Sequence, residues 1–548
     1  MARCLAEARV QLAERITQCL SSACEVITGS DALLAYQQNC EAQATATSLV
    51  VKVATEQDIR QLLQLASQLR HTDDAFVIFP ISTGKNWGYN SATPNSPAVL
   101  LDLSGLRQIR VIDATLGLFA VQPGVTQQLL RDFLDQQQLA FMVPVTGAGP
   151  DCSILGNALE RGYGITPYTD HFGAVTAMRA MLADGSIVQS AVAELDQSQE
   201  GLIDHTYKYG VGPYLDGLWT QSNLAIVTEI TVRLKANPAA FDAFYIQFQD
   251  DQQFELAQQI VFQILRDLEG VVGSVNIMDR RRVAAMMAVN PNGAAAHQVM
   301  TEQQVSDIAK AYDIPAWTIA GTLYGRPKVV AAAKAEVKSI IGGRANKVLF
   351  SSSALIKIGR LAVKLLPALL AKPAKMLASL DAGIQIMRGV PNQVALPLAY
   401  WRNPRVEPAA SVRLNPAADQ CGLLWYAPLV PMRAEAMRAF IQHIRTLCPK
   451  YGIEPMITFT SLRHDTVDST IPIVFNRLDP DAVAQAKACL DELVKVGLKQ
   501  GWVPYRLNLQ QQAELLHADS TFWQVVQRIK QALDPEALLS PGRYCPKP

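Results

Sequence analysis

Charge of one sign is what this 548-residue sequence most conspicuously lacks: 49 Lys and Arg face 49 Asp and Glu. Nucleic-acid binding through a basic field is therefore not expected. Metal-binding spacing is missing too. The nine cysteines (4, 19, 24, 40, 152, 421, 448, 489 and 545) form no CxxC pair, and the seven histidines no HExxH, so no metal site is predicted. Scattered and odd in number, the cysteines read as reduced thiols of a cytoplasmic protein. No unbroken apolar run opens the chain; Glu7 and Glu14 interrupt "MARCLAEARVQLAERITQCL", giving an amphipathic helix rather than a signal peptide. Nor is there a GxGxxG after a strand or a GxxxxGK[ST], which sets aside the Rossmann and P-loop signatures.

Acidic residues are absent between Glu336 and Asp381, where eight Lys and Arg occur. Within "SALIKIGRLAVKLLPALLAKPAKM", Lys357, Arg360 and Lys364 share one helical face, and Leu355, Ile358, Leu361 and Leu365 a neighbouring one. A spanning helix needs about 20 mainly apolar residues, and these charges with Pro367 argue against one. Two readings stay open. Residues 350–376 form a basic amphipathic helix for a membrane surface or redox partner, or an ordinary helix packed on its own protein.

What is present is ordinary globular composition, 49% hydrophobic and 18% charged, in a chain too long for one core. From about residue 44 to 236, short strands alternate with tight turns and helices. "GLFAVQPGVTQQLLRDFL" reads as strand, Pro123-Gly124 turn, Thr126 cap and amphipathic helix. "VTAMRAMLADGSIVQS" reads as a hairpin about Asp184-Gly185, and "AIVTEITVRL" as a strand with two different faces. Beyond Pro238 come two successive mixtures of strands and helices, predicting a second domain with an antiparallel sheet covered by helices. The fold class is α+β.

Glycine-bearing loops carry the chemistry. "FPISTGKNWGYN" ends a strand at Pro80 and turns through Ser82, Thr83, Gly84 and Asn86 with Trp87 and Tyr89 close by. "PVTGAGPDCSILGNALERGYGITPYTDHFG" and "YGVGPYLDGLWTQSNLAIVTEI" follow. Glycine lets backbone N–H groups converge on an anion, so loops poor in Lys and Arg point to a dinucleotide pyrophosphate held by backbone.

With "GWVPYR" and the terminal "DPEALLSPGRY", these segments resemble the vanillyl-alcohol oxidase and para-cresol methylhydroxylase family of FAD-dependent flavoproteins, across nearly the whole chain except the first ~40 residues and the basic insert. The resemblance implies a two-part FAD-binding domain of the para-cresol methylhydroxylase type (44–236, completed by 501–548). It also implies a cap domain (237–500, with the insert 337–380) and leaves an N-terminal helical extension (1–43). It assigns Pro80, Ser82, Thr83, Gly84, Lys85 and Asn86 to the FAD pyrophosphate loop. Gly147, Gly149, Ser153, Gly156, Asn157, Asp170 and His171 fall in the second flavin stretch, Ile226 and Val227 on a strand edge, and Arg543 at the chain end. Tyr89, Tyr505 and Arg506 match the family's phenol-binding positions. Two hydroxyl donors and a guanidinium there favour phenolate over phenol, from which a para-benzylic hydride leaves to give a quinone methide. Guanidinium suits carboxylate equally, so a 2-hydroxy acid or natural-product intermediate is the alternative substrate. Asp151 is either the counterpart of a carboxylate beside the flavin or a surface-loop aspartate; Leu423 replaces a flavin-linking histidine, so FAD is expected to be non-covalent, with attachment through a tyrosine left open. His464 and Asp465 are either a general base pair or solvated. A homo-oligomer is expected from the family; the acceptor, oxygen or a cytochrome or quinone, stays open.

Overall fold

The computed structural model describes residues 2–42, 47–94, 96–352, 371–409 and 411–546. The basic helix expected within 350–376 falls largely outside them. Among the described residues no helix is long and apolar enough to cross a membrane, and the eight cysteines described are free.

Three sheets organise the chain. The first contains β1 (Glu25–Ile27), β2 (Thr47–Lys52), β3 (Ile78–Ile81) and β4 (Ala98–Asp102), in the order β1-β2-β4-β3. β4 runs parallel to both β2 and β3, with all five of its residues buried, as a parallel sheet covered on both faces requires. The first 43 residues are thus not purely helical, because β1 joins this sheet antiparallel to β2. Helix Glu56–Leu69 covers one face, started by a capping box between Thr55 and Asp58. The end of the chain returns here: Leu539 bridges Ile78, and the Ser540 N–H donates to the Ile78 carbonyl.

The second sheet holds β5 (Ile109–Asp113), β6 (Leu118–Val121), β7 (Val175–Met181), β8 (Ile187–Val188) and β9 (Ile226–Arg233), ordered β5-β6-β9-β7-β8 and antiparallel throughout. The Thr126 hydroxyl caps helix Gln127–Gln136, and Gly185 turns the β7–β8 hairpin at φ +83°, as the sequence predicts. β9 lies between β6 and β7, and its two faces differ as expected: Ile226, Thr228, Ile230 and Val232 are all buried, whereas Glu229 and Arg233 on the other face are only partly so, Glu229 pairing with Arg110.

The third sheet spans β10 (Ala240–Phe248), β11 (Asn276–Asp279), β12 (Trp317–Gly325), β13 (Lys347–Ser352), β14 (Gly422–Tyr426), β15 (Leu429–Pro431), β16 (Thr458–Ser461) and β17 (Thr466–Phe475). Its order is β13-β10-β12-β11-β16-β17-β14, with β15 on β17. Strand alternation separates two faces. Phe244, Ile246, Ile277, Ile319, Phe459, Val467 and Ile471 point outward into a core shared with helices Phe254–Asp267, Ala434–Leu447 and Pro480–Lys499. Asn276, Thr458, Thr460, Asp468 and Thr470 alternate with those residues and occupy the inner face. That face is polar yet buried, which marks it for a ligand.

Candidate active site

An elongated cleft of about 1090 Å³ of open space runs between the first two sheets and the returning C-terminal segment. The β3 strand delivers its first wall. After Ile81, one residue beyond the expected end at Pro80, the chain has no further ladder partner, and Gly84 takes φ +67°, a conformation glycine adopts without penalty. Among the described residues, the backbone N–H groups of Ser82 to Asn86 donate to no group of the chain. Ser153 caps helix Ile154–Leu159, which brings Gly156 so close to Ser82 that a Cβ there would stand 2.3 Å from its Oγ. The opposite wall is β9 with Ser222 and Asn223, whose Oγ and Oδ1 are buried without partners. Free donors on one side and orphaned acceptors on the other fit a long, polar, anionic dinucleotide. FAD meets that description.

Of the predicted cofactor residues, Pro80, Ser82, Thr83, Gly84, Lys85, Asn86, Ser153, Gly156, Asn157, Ile226, Val227 and Arg543 line this cleft. Four do not. Gly147 and Gly149 turn toward Ala395 and Leu396, while Ala148 between them reaches the cleft. Asp170 is exposed, bridging Tyr163. His171 acts one step back: its Nδ1 shares a 2.6 Å hydrogen bond with the Asn157 amide, and burial pulls the ring down to about 4, keeping it neutral. Trp87 and Trp425 are packing residues, the Trp425 indole donating to the Trp87 carbonyl. Gly88, at φ +77°, lets them meet, since a Cβ would lie 2.6 Å from Trp425 and 3.1 Å from Leu423.

Where the cleft ends, Arg506 begins a second constellation. Its Nε and Nη2 donate to the Glu160 carbonyl at 3.2 and 2.8 Å, and Nε lies 3.5 Å from the Glu160 carboxylate. Burial pushes the Glu160 carboxyl up, but Arg543 and Arg506 together hold it below its ordinary value. So fixed, the Arg506 guanidinium sits 4.8 Å from the Tyr89 ring centre and 5.8 Å from that of Tyr505. Burial raises both tyrosine hydroxyls, so both remain neutral donors. Tyr163 packs on Tyr505 at 5.3 Å. The three residues named from the sequence are therefore brought together, on loops from opposite ends of the chain.

Sequence reasoning missed the acid that faces them. Asp468, on the inner face of β17, is 1% exposed, and its Oδ1 has no partner. Oδ2 accepts from the Thr470 hydroxyl at 3.0 Å. Burial pushes this carboxyl up to about 7, against the opposing pull of Thr470 and Arg506. Its signal was legible in "TVDSTIPIVF": an aspartate inside an otherwise strand-forming run has no structural reason to be there.

Asp151 is placed elsewhere. Its carboxylate is held by Arg413 at 2.9 and 2.7 Å in a half-exposed pair. A half-exposed bidentate pair outcompetes a reach toward the cleft. His464 packs edge-on against Phe262 at 5.8 Å, on a helix of the outer core, and Asp465 pairs with Arg463 in solvent. Neither faces the inner sheet.

Comparisons with known proteins agree with this geometry. A model of the FAD binding domain matches residues 47–191. The chain is 29% identical over 481 residues to the 1'-carboxy-chondrochloren decarboxylase of Chondromyces crocatus, covering 85% of each. It is 26% identical over 551 residues to the flavoprotein subunit of 4-cresol dehydrogenase (hydroxylating) of Pseudomonas putida, covering 94% of this chain and 92% of that one. In fold it is similar to p-cresol methylhydroxylase with substrate bound (TM-score 0.83, 22% identity, 99% and 97% covered). It is equally similar to the 4-ethylphenol oxidase of Gulosibacter chungangensis in complex with isoeugenol (TM-score 0.85, 20% identity, 99% and 98% covered). A matched FAD-binding domain, full-length relatives and a shared fold give one conclusion: the chain is an FAD-binding oxidoreductase, similar in sequence to 4-cresol dehydrogenase and in fold to p-cresol methylhydroxylase.

Proposed function

We propose that the enzyme oxidises the para side chain of a phenol, bound as its phenolate. The observation carrying this reading is the convergence of Tyr89, Tyr505 and Arg506 at the end of the FAD cleft. A buried guanidinium and two neutral hydroxyl donors stabilise an aryl oxyanion far better than water-exposed groups would. Asp468 supplies what the trio lacks, a proton acceptor. As the phenol binds, its O–H bond breaks and a new O–H bond forms at the unpartnered Oδ1 of Asp468. The negative charge then moves from carboxylate to phenolate, where Arg506 meets it. FAD, when bound, supplies the two-electron acceptor for a hydride from the benzylic carbon. The named phenol-oxidising relatives, a 4-cresol dehydrogenase and a 4-ethylphenol oxidase, support the substrate class.

Anaerobic mixing of the holoenzyme with 4-alkylphenols, benzylic alcohols and 2-hydroxy acids tests it. The 4-alkylphenols should bleach the flavin band near ~450 nm, through a phenolate held by fixed donors. Bleaching by hydroxy acids alone would refute the phenolate reading. The decarboxylase relative favours a second outcome for the same site, in which a carboxylated side chain loses CO2 after the hydride; CO2 released in step with bleaching identifies it.

FAD is held without a covalent bond in this reading. Leu423, buried beside Gly88, offers no nucleophile at the family's histidyl position. Acid precipitation should leave the yellow colour in the supernatant; a coloured pellet would overturn this.

A further inference from the structure

The inner face of the third sheet carries a second, half-buried cation that the reading above does not use. Arg282 lies in helix Arg280–Met287, which follows β11. Its Nε donates to the Thr458 hydroxyl at 3.2 Å, and its Nη1 is buried with no partner. The nearby carboxylate is already committed. Asp279 caps the helix, its Oδ1 accepting the backbone N–H groups of Arg282 and Ile457 at 2.9 and 3.0 Å. No ion pair to Arg282 exists among the described residues, unlike its neighbour Arg281, which pairs with Glu302 and Glu454. Asp279 is thus a charged neighbour but not an ion-pair partner, an incompletely paired guanidinium is costly, and burial pulls it down to about 10 against the opposing pull of Asp279.

Sheet register relates this group to the phenolate end. Thr458 lies directly opposite Thr470, and the Thr470 hydroxyl donates to Asp468, which faces Arg506. Directly opposed residues stand about 5 Å apart. Two arginines, Arg506 buried and Arg282 half-buried, thus flank one strip of inner face, separated by a cross-strand pair of threonines and the aspartate. Asn276, on the same face, adds a buried Oδ1 without a partner.

We propose that Arg282, with the Thr458 hydroxyl beside it, anchors a carboxylate carried at the far end of the substrate's para side chain. The substrate class then narrows to 4-hydroxyphenyl compounds with an acidic tail. This inference rests on the phenolate reading of the Tyr89, Tyr505 and Arg506 end.

The test uses two probes alike in ring and chain length, 3-(4-hydroxyphenyl)propanoate and 4-propylphenol. Each is titrated anaerobically into the holoenzyme, and apparent Kd is read from the concentration dependence of flavin bleaching. The wild type should prefer the carboxylate by about tenfold or more, the worth of one charge-assisted hydrogen-bond pair. Arg282→Gln should collapse that ratio to about one, and Arg282→Lys should restore part of it because a point charge remains. Equal binding of the two probes by the wild type would overturn the proposal without any variant. A preference that survives in Arg282→Gln would overturn it too. Bleaching by neither probe would remove the phenolate reading, and this inference with it. Bleaching by 4-propylphenol with no carboxylate preference would sink the anchor alone.

Discussion

Arg506→Ala should slow flavin reduction by a 4-alkylphenol by about 10²–10³-fold, the usual cost of removing one preorganised donor from an oxyanion site. The reason lies in how the guanidinium is held. Glu160 fixes it through both its backbone carbonyl and its carboxylate, so no reorganisation is needed when the aryl oxyanion arrives. Glu160 keeps Arg543 as a partner in the variant, which limits structural damage. The measurement is single-turnover bleaching at saturating phenol. Alongside it, the ultraviolet phenolate band of a bound phenol lacking an oxidisable side chain should appear with wild type and vanish with Arg506→Ala. A merely structural arginine would leave that band in place. Reduction within about threefold of wild type would remove Arg506 from the chemistry.

Asp468→Asn should change the pH profile more than the rate at any single pH. In the wild type the carboxyl sits at about 7. Above that value it is ionised in the free enzyme and takes the phenolic proton, so binding is proton-neutral and kcat/KM is level with pH. Below it the carboxyl is already protonated, the phenolic proton must leave for solvent, and kcat/KM falls about tenfold per pH unit. Without the acceptor, proton release accompanies binding at every pH. The Asn variant should therefore keep rising past pH 7, toward the ordinary phenol range near ~10. Profiles that level at the same pH in both proteins would show that Asp468 holds no proton in the reaction. Stability offers a second reading. A carboxyl raised above its unfolded value of about 3.9 costs the fold stability as pH rises from about 4 to about 7, with the full cost persisting above. Asn carries no such penalty, so its Tm should gain on the wild type between pH 5 and 8, as checked by thermal unfolding at roughly those two values.

The local elements were legible because they depend on neighbours in sequence. Thr126 with its amphipathic helix, Gly185 in its hairpin, and Gly84 in the loop after Pro80 each follow from backbone preferences within a few residues. The dinucleotide loops were legible for the same reason, and most of their residues line the cleft. Gly147 and Gly149 were misjudged because their glycines serve close packing against the segment around Leu396, a contact across some 250 residues. Asp151 was misjudged because its partner, Arg413, is equally remote.

By itself, then, the order of residues determined which segments turn, which extend, and that backbone amides would be offered to an anionic dinucleotide; these are properties of a few consecutive peptides. Tertiary structure alone decided which charges lost their water. Asp468, Arg506 and Arg282 are unremarkable letters in their segments, and they become a raised acid, a fixed fork and a cation with an unpartnered Nη1 because segments remote in sequence close over them. Burial is a sum over distant parts of the chain, and it converts ordinary side chains into reactive ones through the cost of desolvating charge.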